Sequence, residues 1–168
     1  MRASGHIAEA ALPPGALVGR YQGGGGYTDC FTATVPGRVT QAAYVEAFYT
    51  TPLFKLERLV LAVLVARPST DAQARSLAAG ETETFAAWTV EAREPDQVLL
   101  CDFLGSTRSW LMSAADPASE TTTFWFGSAI VPRKGAARPG PGFRALVPFH
   151  RLYARALLRA AVRGLKSG

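Results

Sequence analysis

Cysteine and histidine are scarce in this chain, with two of each in 168 residues. Cys30 and Cys101 stand far apart and belong to no CxxC or Cys/His spacing, which leaves a zinc or redox centre without a ligand set. Two reduced, mostly buried thiols are expected instead. The histidines are His6, in an irregular N-terminal stretch, and His150. There is no HExxH helix, no GxSxG elbow and no DxDxDG loop. Long apolar runs are also missing: the longest, Leu59 to Ala66, is eight residues, far short of the about 20 that a membrane span needs. Pro13 and Pro14 interrupt the N-terminal stretch before any apolar segment can lead to a small-residue cleavage site, so a cytoplasmic protein is expected.

Acid is absent from the C-terminal quarter. From Arg133 onward there are nine Lys or Arg and no Asp or Glu, whereas the preceding residues hold nine bases and thirteen acids. A basic flank of this kind suits an acidic protein or an anionic surface, or is simply the solvated side of an amphipathic helix whose Arg stems cover apolar surface. The aromatic residues are not interleaved with the basic cluster, which makes nucleic acid the least fitting partner.

What the chain does have is an apolar fraction of 48% and a charged fraction of 18%, the composition of a single globular domain with a real core. Residues 1–26 lack a sustained period and end in the Gly23–Gly26 run. They are expected to form an N-terminal segment and glycine-rich linker free to move, with the ordered domain spanning 27–168. The glycine run lacks the Gly-Lys-Ser/Thr ending of a phosphate loop, and Asp29 beside it would repel phosphate.

Tyr27 to Val35 reads as a strand that ends at Pro36-Gly37. The period then turns helical: Thr40 caps a helix over Gln41–Tyr49, and a second helix runs from about Leu53 to Ala66. Antiparallel sheet follows. Strands are expected over Glu83–Ala92 and Val98–Leu104, then a two-residue Gly105-Ser106 hairpin, Thr107–Met112, and a long strand over Thr121–Val131. The Pro- and Gly-rich Pro132–Gly142 stretch forms a loop to the last helix, Phe149 to about Gly164, with Pro148 at its start. On a helical wheel Phe149, Leu152, Tyr153, Ala156, Leu157 and Ala160 make an apolar arc, with Arg151, Arg155, Arg159 and Arg163 along the remaining side. The fold class is therefore α+β: a curved antiparallel β-sheet wrapped around a long C-terminal helix, with two helices inserted after the first strand.

That order, with Pro148-Phe149-His150-Arg151-Leu152 opening an Ala- and Arg-rich final helix, resembles the START-like, helix-grip (SRPBCC) superfamily, and within it an uncharacterised bacterial branch with a PFHRL-type helix. The likeness covers about Tyr27 to Leu165. It implies an apolar cavity between sheet and last helix that takes lipids, sterols, polyketides or hormones, with catalysis in only some members. The branch is sometimes fused behind a dehydrogenase-like domain, and a redox role here would need that unit as a separate partner.

His150 and Tyr153 lie near the centre of the predicted inward arc, with Leu157 below them. They are the candidate polar tips of a ligand pocket, or a general base and proton donor; alternatively they satisfy nearby backbone. Arg108 shares a strand face with Cys101, Phe103, Trp110 and Met112, and is either an anion anchor or a cation stacked on an aromatic ring. Trp88, Trp110 and Trp125 complete the candidate lining. Phe124 and Phe126 face opposite to Trp125. Three functions are weighed: binding of a small apolar or amphipathic ligand, which needs no cofactor or metal; an enzyme of cyclase, dehydratase or hydrolase type using His150; and an interaction module using Arg151, Arg155, Arg159 and Arg163.

Overall fold

The computed structural model describes residues 6–132 and 141–165. Seven strands form one curved antiparallel sheet: β1 (Ala8–Glu9), β2 (Tyr27–Pro36), β3 (Thr84–Phe85), β4 (Trp88–Glu94), β5 (Gln97–Asp102), β6 (Thr107–Asp116) and β7 (Thr121–Ile130), in the spatial order β1-β2-β7-β6-β5-β4-β3. The four helices are α1 (Gln41–Tyr49), α2 (Pro52–Leu64), α3 (Asp71–Ala79) and α4 (Pro141–Leu165). The meander β4–β7 closes on β2, whose ten residues pair with β7 from Tyr27↔Ile130 to Pro36↔Thr121. The α+β class and the long C-terminal helix are as expected, with several local differences.

Three helices follow β2, not two. Thr40 and Thr51 cap α1 and α2 through their hydroxyls, and Pro52 opens α2. The unexpected α3 has clear local causes: Thr70 and Gln73 form a reciprocal capping box, and Gly80 ends the helix in the left-handed region. The expected strand over Glu83–Ala92 is two strands, because Ala86 takes a positive φ of 53° and turns the chain between β3 and β4.

Residues 7–21, expected to stand apart from the domain, pack on it. Residues of β1 pair with Thr32 and Phe31 of β2, Ile7 is fully buried in the main core, and Val18, on a 3₁₀ turn at Leu17–Tyr21, is fully buried in a second cluster. The glycine run is a close approach rather than a linker: a Cβ on Gly26 would collide with the Ile130 carbonyl oxygen.

The β5–β6 connection is four residues, Phe103–Ser106, because Asp102 Oδ1 accepts from both Ser106 N (2.7 Å) and Thr107 N (3.0 Å) and so ends the strand early. Arg108 consequently pairs with Cys101 rather than Phe103. A shift of two residues preserves the alternation of faces.

The helices cover one side of the sheet. Phe31, Ala33, Val35, Leu100, Leu111, Phe124 and Phe126 form one buried cluster with Tyr44, Phe48 and Tyr49 of α1 and with Ala154, Leu157, Leu158, Ala161 and Val162 of α4. On the other side Cys30, Leu99, Trp110 and Ala129 are capped by Val18. Both thiols are free, and burial pushes that of Cys30 up to about 12.

The last helix starts earlier and is turned relative to expectation. It begins at Pro141 and carries Pro148 in its interior. Phe149 and Leu152 are each 67% exposed, while Ala154, Leu158, Ala161 and Val162 are buried. The helix is apolar over more than half its circumference, and its smaller side chains allow the closer seat against α1 and the sheet. The expected loop at 132–142 lies outside the described residues over 133–140; Pro141 and Gly142 already belong to α4.

Candidate functional site

A cavity of about 280 Å³ opens between the inner sheet face, α2, α4 and the β5–β6 connection. Phe48, Phe54, Leu61, Phe126 and Leu157 give it an apolar floor, and Trp88 closes one side. Its polar side is built by α4 and α2 together: His150 and Tyr153 come from one helix, Glu57 from the other.

Tyr153 Oη donates to Glu57 Oε2 at 2.5 Å. Burial raises the Glu57 carboxyl above its ordinary range, an effect that the Tyr153 bond opposes. The Tyr153 phenol is pushed up too, first by burial and then by the carboxylate beside it. The pair is therefore a hydrogen bond from phenol to carboxylate in a poorly hydrated wall.

His150 is backed by Asp29 of β2, whose side chain is only 2% exposed. Asp29 Oδ1 accepts from Ser128 N at 2.9 Å and Oδ2 accepts from Tyr27 Oη at 3.0 Å, while His150 Nε2 lies 3.3 Å from Oδ2. Tyr27 also packs edge-on against the imidazole, with ring centroids 5.9 Å apart. Burial, then the Asp29 charge, raises the Tyr27 phenol. A carboxylate behind an imidazole fixes the ring's orientation.

Trp88 lines the same cavity, and its Nε1–H is shielded from solvent with no hydrogen-bond partner among the described residues. A donor left unpaired in a buried position carries a desolvation cost. Asp102, by contrast, reaches the rim already saturated by Ser106 and Thr107.

Of the residues singled out from sequence, His150, Tyr153, Leu157, Trp88 and Arg108 border this cavity. Arg108 does so with its guanidinium engaged elsewhere: it donates to Glu91 Oε2 (2.6 Å), Tyr21 Oη (3.0 Å) and the Gly105 carbonyl (2.8 Å), and it stacks over the Tyr21 ring at 4.9 Å. Of the two roles considered for it, the stacked cation is the geometry present. Trp110 and Trp125 belong to the cluster on the far side of the sheet, where Trp110 Nε1 donates to Gln97 Oε1 at 2.8 Å. The basic row of α4 is partly spent on the fold: Arg151 pairs with Glu9, and Arg155 donates to the Ile7 carbonyl.

Sequence reasoning missed Glu57 and Asp29 as site residues. The signals were there: Asp29 has the same strand parity as Phe31, Ala33 and Val35, and Glu57 is the sole acid of α2. Among the described residues no group of three or more His, Cys, Asp or Glu is arranged to hold a metal ion. No helix of the described residues is long and apolar enough to cross a membrane.

Fold and site together define an α+β domain with an amphipathic cavity beside its last helix. The chain matches no protein-family model, no curated protein and no solved structure.

Proposed function

We infer that this chain is a helix-grip domain of START-like type that binds a small amphipathic molecule in the cavity beneath α4. The observation that carries the reading is the pairing of an apolar floor with polar groups that converge on one side: His150 backed by Asp29, and the Tyr153–Glu57 pair. At about 280 Å³ the cavity sits at the lower end of the about 300–1,000 Å³ of small-molecule sites. The ligand is accordingly small, with an aliphatic or flat body against Phe54 and Phe126 and an oxygen function at the polar side. The position of α4 over β2 and β7, with α1 and α2 alongside it, fits the helix-grip resemblance.

The test compares native with denatured mass of protein purified from its own host. A bound species is expected in the wild type and is lost in Ala154→Phe, whose ring fills the cavity, with the far-UV spectrum retained. No bound species in repeated preparations, or one that survives Ala154→Phe, overturns the reading.

One observation favours catalysis as a second reading, namely the buried Asp29 behind His150. In that case His150 acts as general base, and Tyr153 donates to a developing oxyanion only by giving up its bond to Glu57. Arg108 has no part in it, since Glu91 and Tyr21 hold its guanidinium. His150→Ala then abolishes turnover even at saturating substrate, with the variant still folded; undiminished turnover removes the reading.

A further inference from the structure

Helix α2 has two apolar faces, and the core uses one. Its inner face supplies Phe54 and Leu61 to the core and cavity. Its outer face carries Leu56, Leu59, Val60, Val63 and Leu64, an i, i+3, i+4, i+7, i+8 stripe that is exposed throughout, with Val63 and Leu64 at 73% and 76%. Large apolar side chains continue on the neighbouring elements. Phe103 and Leu104 are exposed on the β5–β6 connection, and Phe149 and Leu152 on α4.

These groups share one rim. Arg67, just past α2, lies over the Phe103 ring at 6.0 Å; Tyr153 of α4 is bonded to Glu57 of α2; and Phe149 stacks on Tyr153. An exposed apolar surface of this extent marks an interaction site rather than ordinary surface scatter.

The charges around it select the partner. Helix α4 has five arginines and no acid. On α2, Glu57 is turned to the cavity wall, and Lys55 is matched by Asp71 at 2.7 Å. Arg67, Arg144 and Arg159 are exposed. A second copy of the chain docked here would bring arginine against arginine, whereas anionic headgroups around an apolar interior complement both features.

We propose that this rim, the outer stripe of α2 with Phe103–Leu104 and Phe149–Leu152, docks on the surface of an anionic lipid bilayer, with Arg67, Arg144 and Arg159 facing headgroups. The helices lie on the bilayer and do not cross it. Docking rests on exposed residues and holds whatever occupies the cavity.

The experiment is co-sedimentation of the full chain with vesicles of phosphatidylcholine alone and of phosphatidylcholine with phosphatidylglycerol, at low and high salt. Binding is expected on the anionic vesicles only, weakened by salt. Val63→Asp with Leu64→Asp abolishes it, and Arg144→Gln and Arg159→Gln each lower the partition about fivefold. Both pairs replace exposed side chains, and circular dichroism checks that each variant is folded. Failure to sediment with anionic vesicles, equal binding after the Asp substitutions, or a wild-type dimer in light scattering that the Asp substitutions dissolve without any vesicle binding, each overturns the proposal.

Discussion

The two faces of the sheet solve the same problem in opposite ways. Each must cover apolar strand residues that also carry polar groups. On the outer face the cover is the short 3₁₀ turn, and Gln97 is fully engaged beneath it: it accepts from Leu17 N and Trp110 Nε1, and donates to the Gly15 carbonyl and Glu94. Arg108 is shared among Glu91, Tyr21 and Gly105. Gly127 faces Trp110 across the ladder, and a Cβ there would sit 2.9 Å from the indole, so glycine is what lets the ring lie flat. This side is sealed.

The inner face is covered by longer helices that leave a gap. Its ionisable groups, Glu57, Tyr153 and His150, surround a void instead of filling it. A closed polar network stabilises; one arranged around empty space can exchange partners with a ligand. Arg108 is held by three partners away from the cavity, whereas His150 borders the cavity with Asp29 behind it.

The largest expected effect comes from breaking the sealed side. Trp110→Ala removes a fully buried indole and should lower unfolding free energy by about 3–5 kcal/mol in a denaturant titration, while leaving cavity binding intact in the folded fraction. A cost under about 1 kcal/mol would mean that the outer cluster is not the packed unit described.

A smaller loss follows from Gln97→Leu, which keeps the bulk but strands the Trp110 and Leu17 donors. It should cost about 1–3 kcal/mol and speed amide exchange at Leu17 and Val18 selectively. Uniform acceleration across the sheet would argue against Gln97 as the pin of that turn.

The smallest effect is on the cavity side and appears as a change of slope. Because burial raises the Glu57 carboxyl in the folded chain, the folded state holds that proton more tightly than the unfolded one. Its contribution is most favourable below the unfolded value and declines as pH rises from there through the folded value. Glu57→Gln should flatten that part of the stability–pH profile and leave the variant relatively more stable at neutral pH. An unchanged profile would show that Glu57 is better hydrated than its position implies.

Much of this architecture was legible from residues in sequence. Thr40 and the Pro36-Gly37 and Glu94-Pro95-Asp96 turns located α1 and the strands within a few residues. The capping box of α3 is equally visible in sequence, but the helix it opens is short and weakly apolar, so periodicity does not mark it. The β5–β6 register could not be read locally, since it depends on Asp102 folding back on Ser106 and Thr107. The site was half legible: His150 and Tyr153 stood out as polar groups on an apolar helix, whereas Glu57 and Asp29 became site residues only when α2 and β2 were brought beside that helix.

By itself the sequence determined the α+β class, the strand parity that separates Phe124 and Phe126 from Trp125, and the amphipathic character of the last helix. Those follow from periods of two and 3.6, which are local properties of the chain. Tertiary structure decided which arc of α4 faces inward, that residues 7–21 complete the fold, and that Arg108 is spent while Trp88 is not. Such outcomes depend on which neighbours arrive from distant segments and on how closely small side chains let them approach.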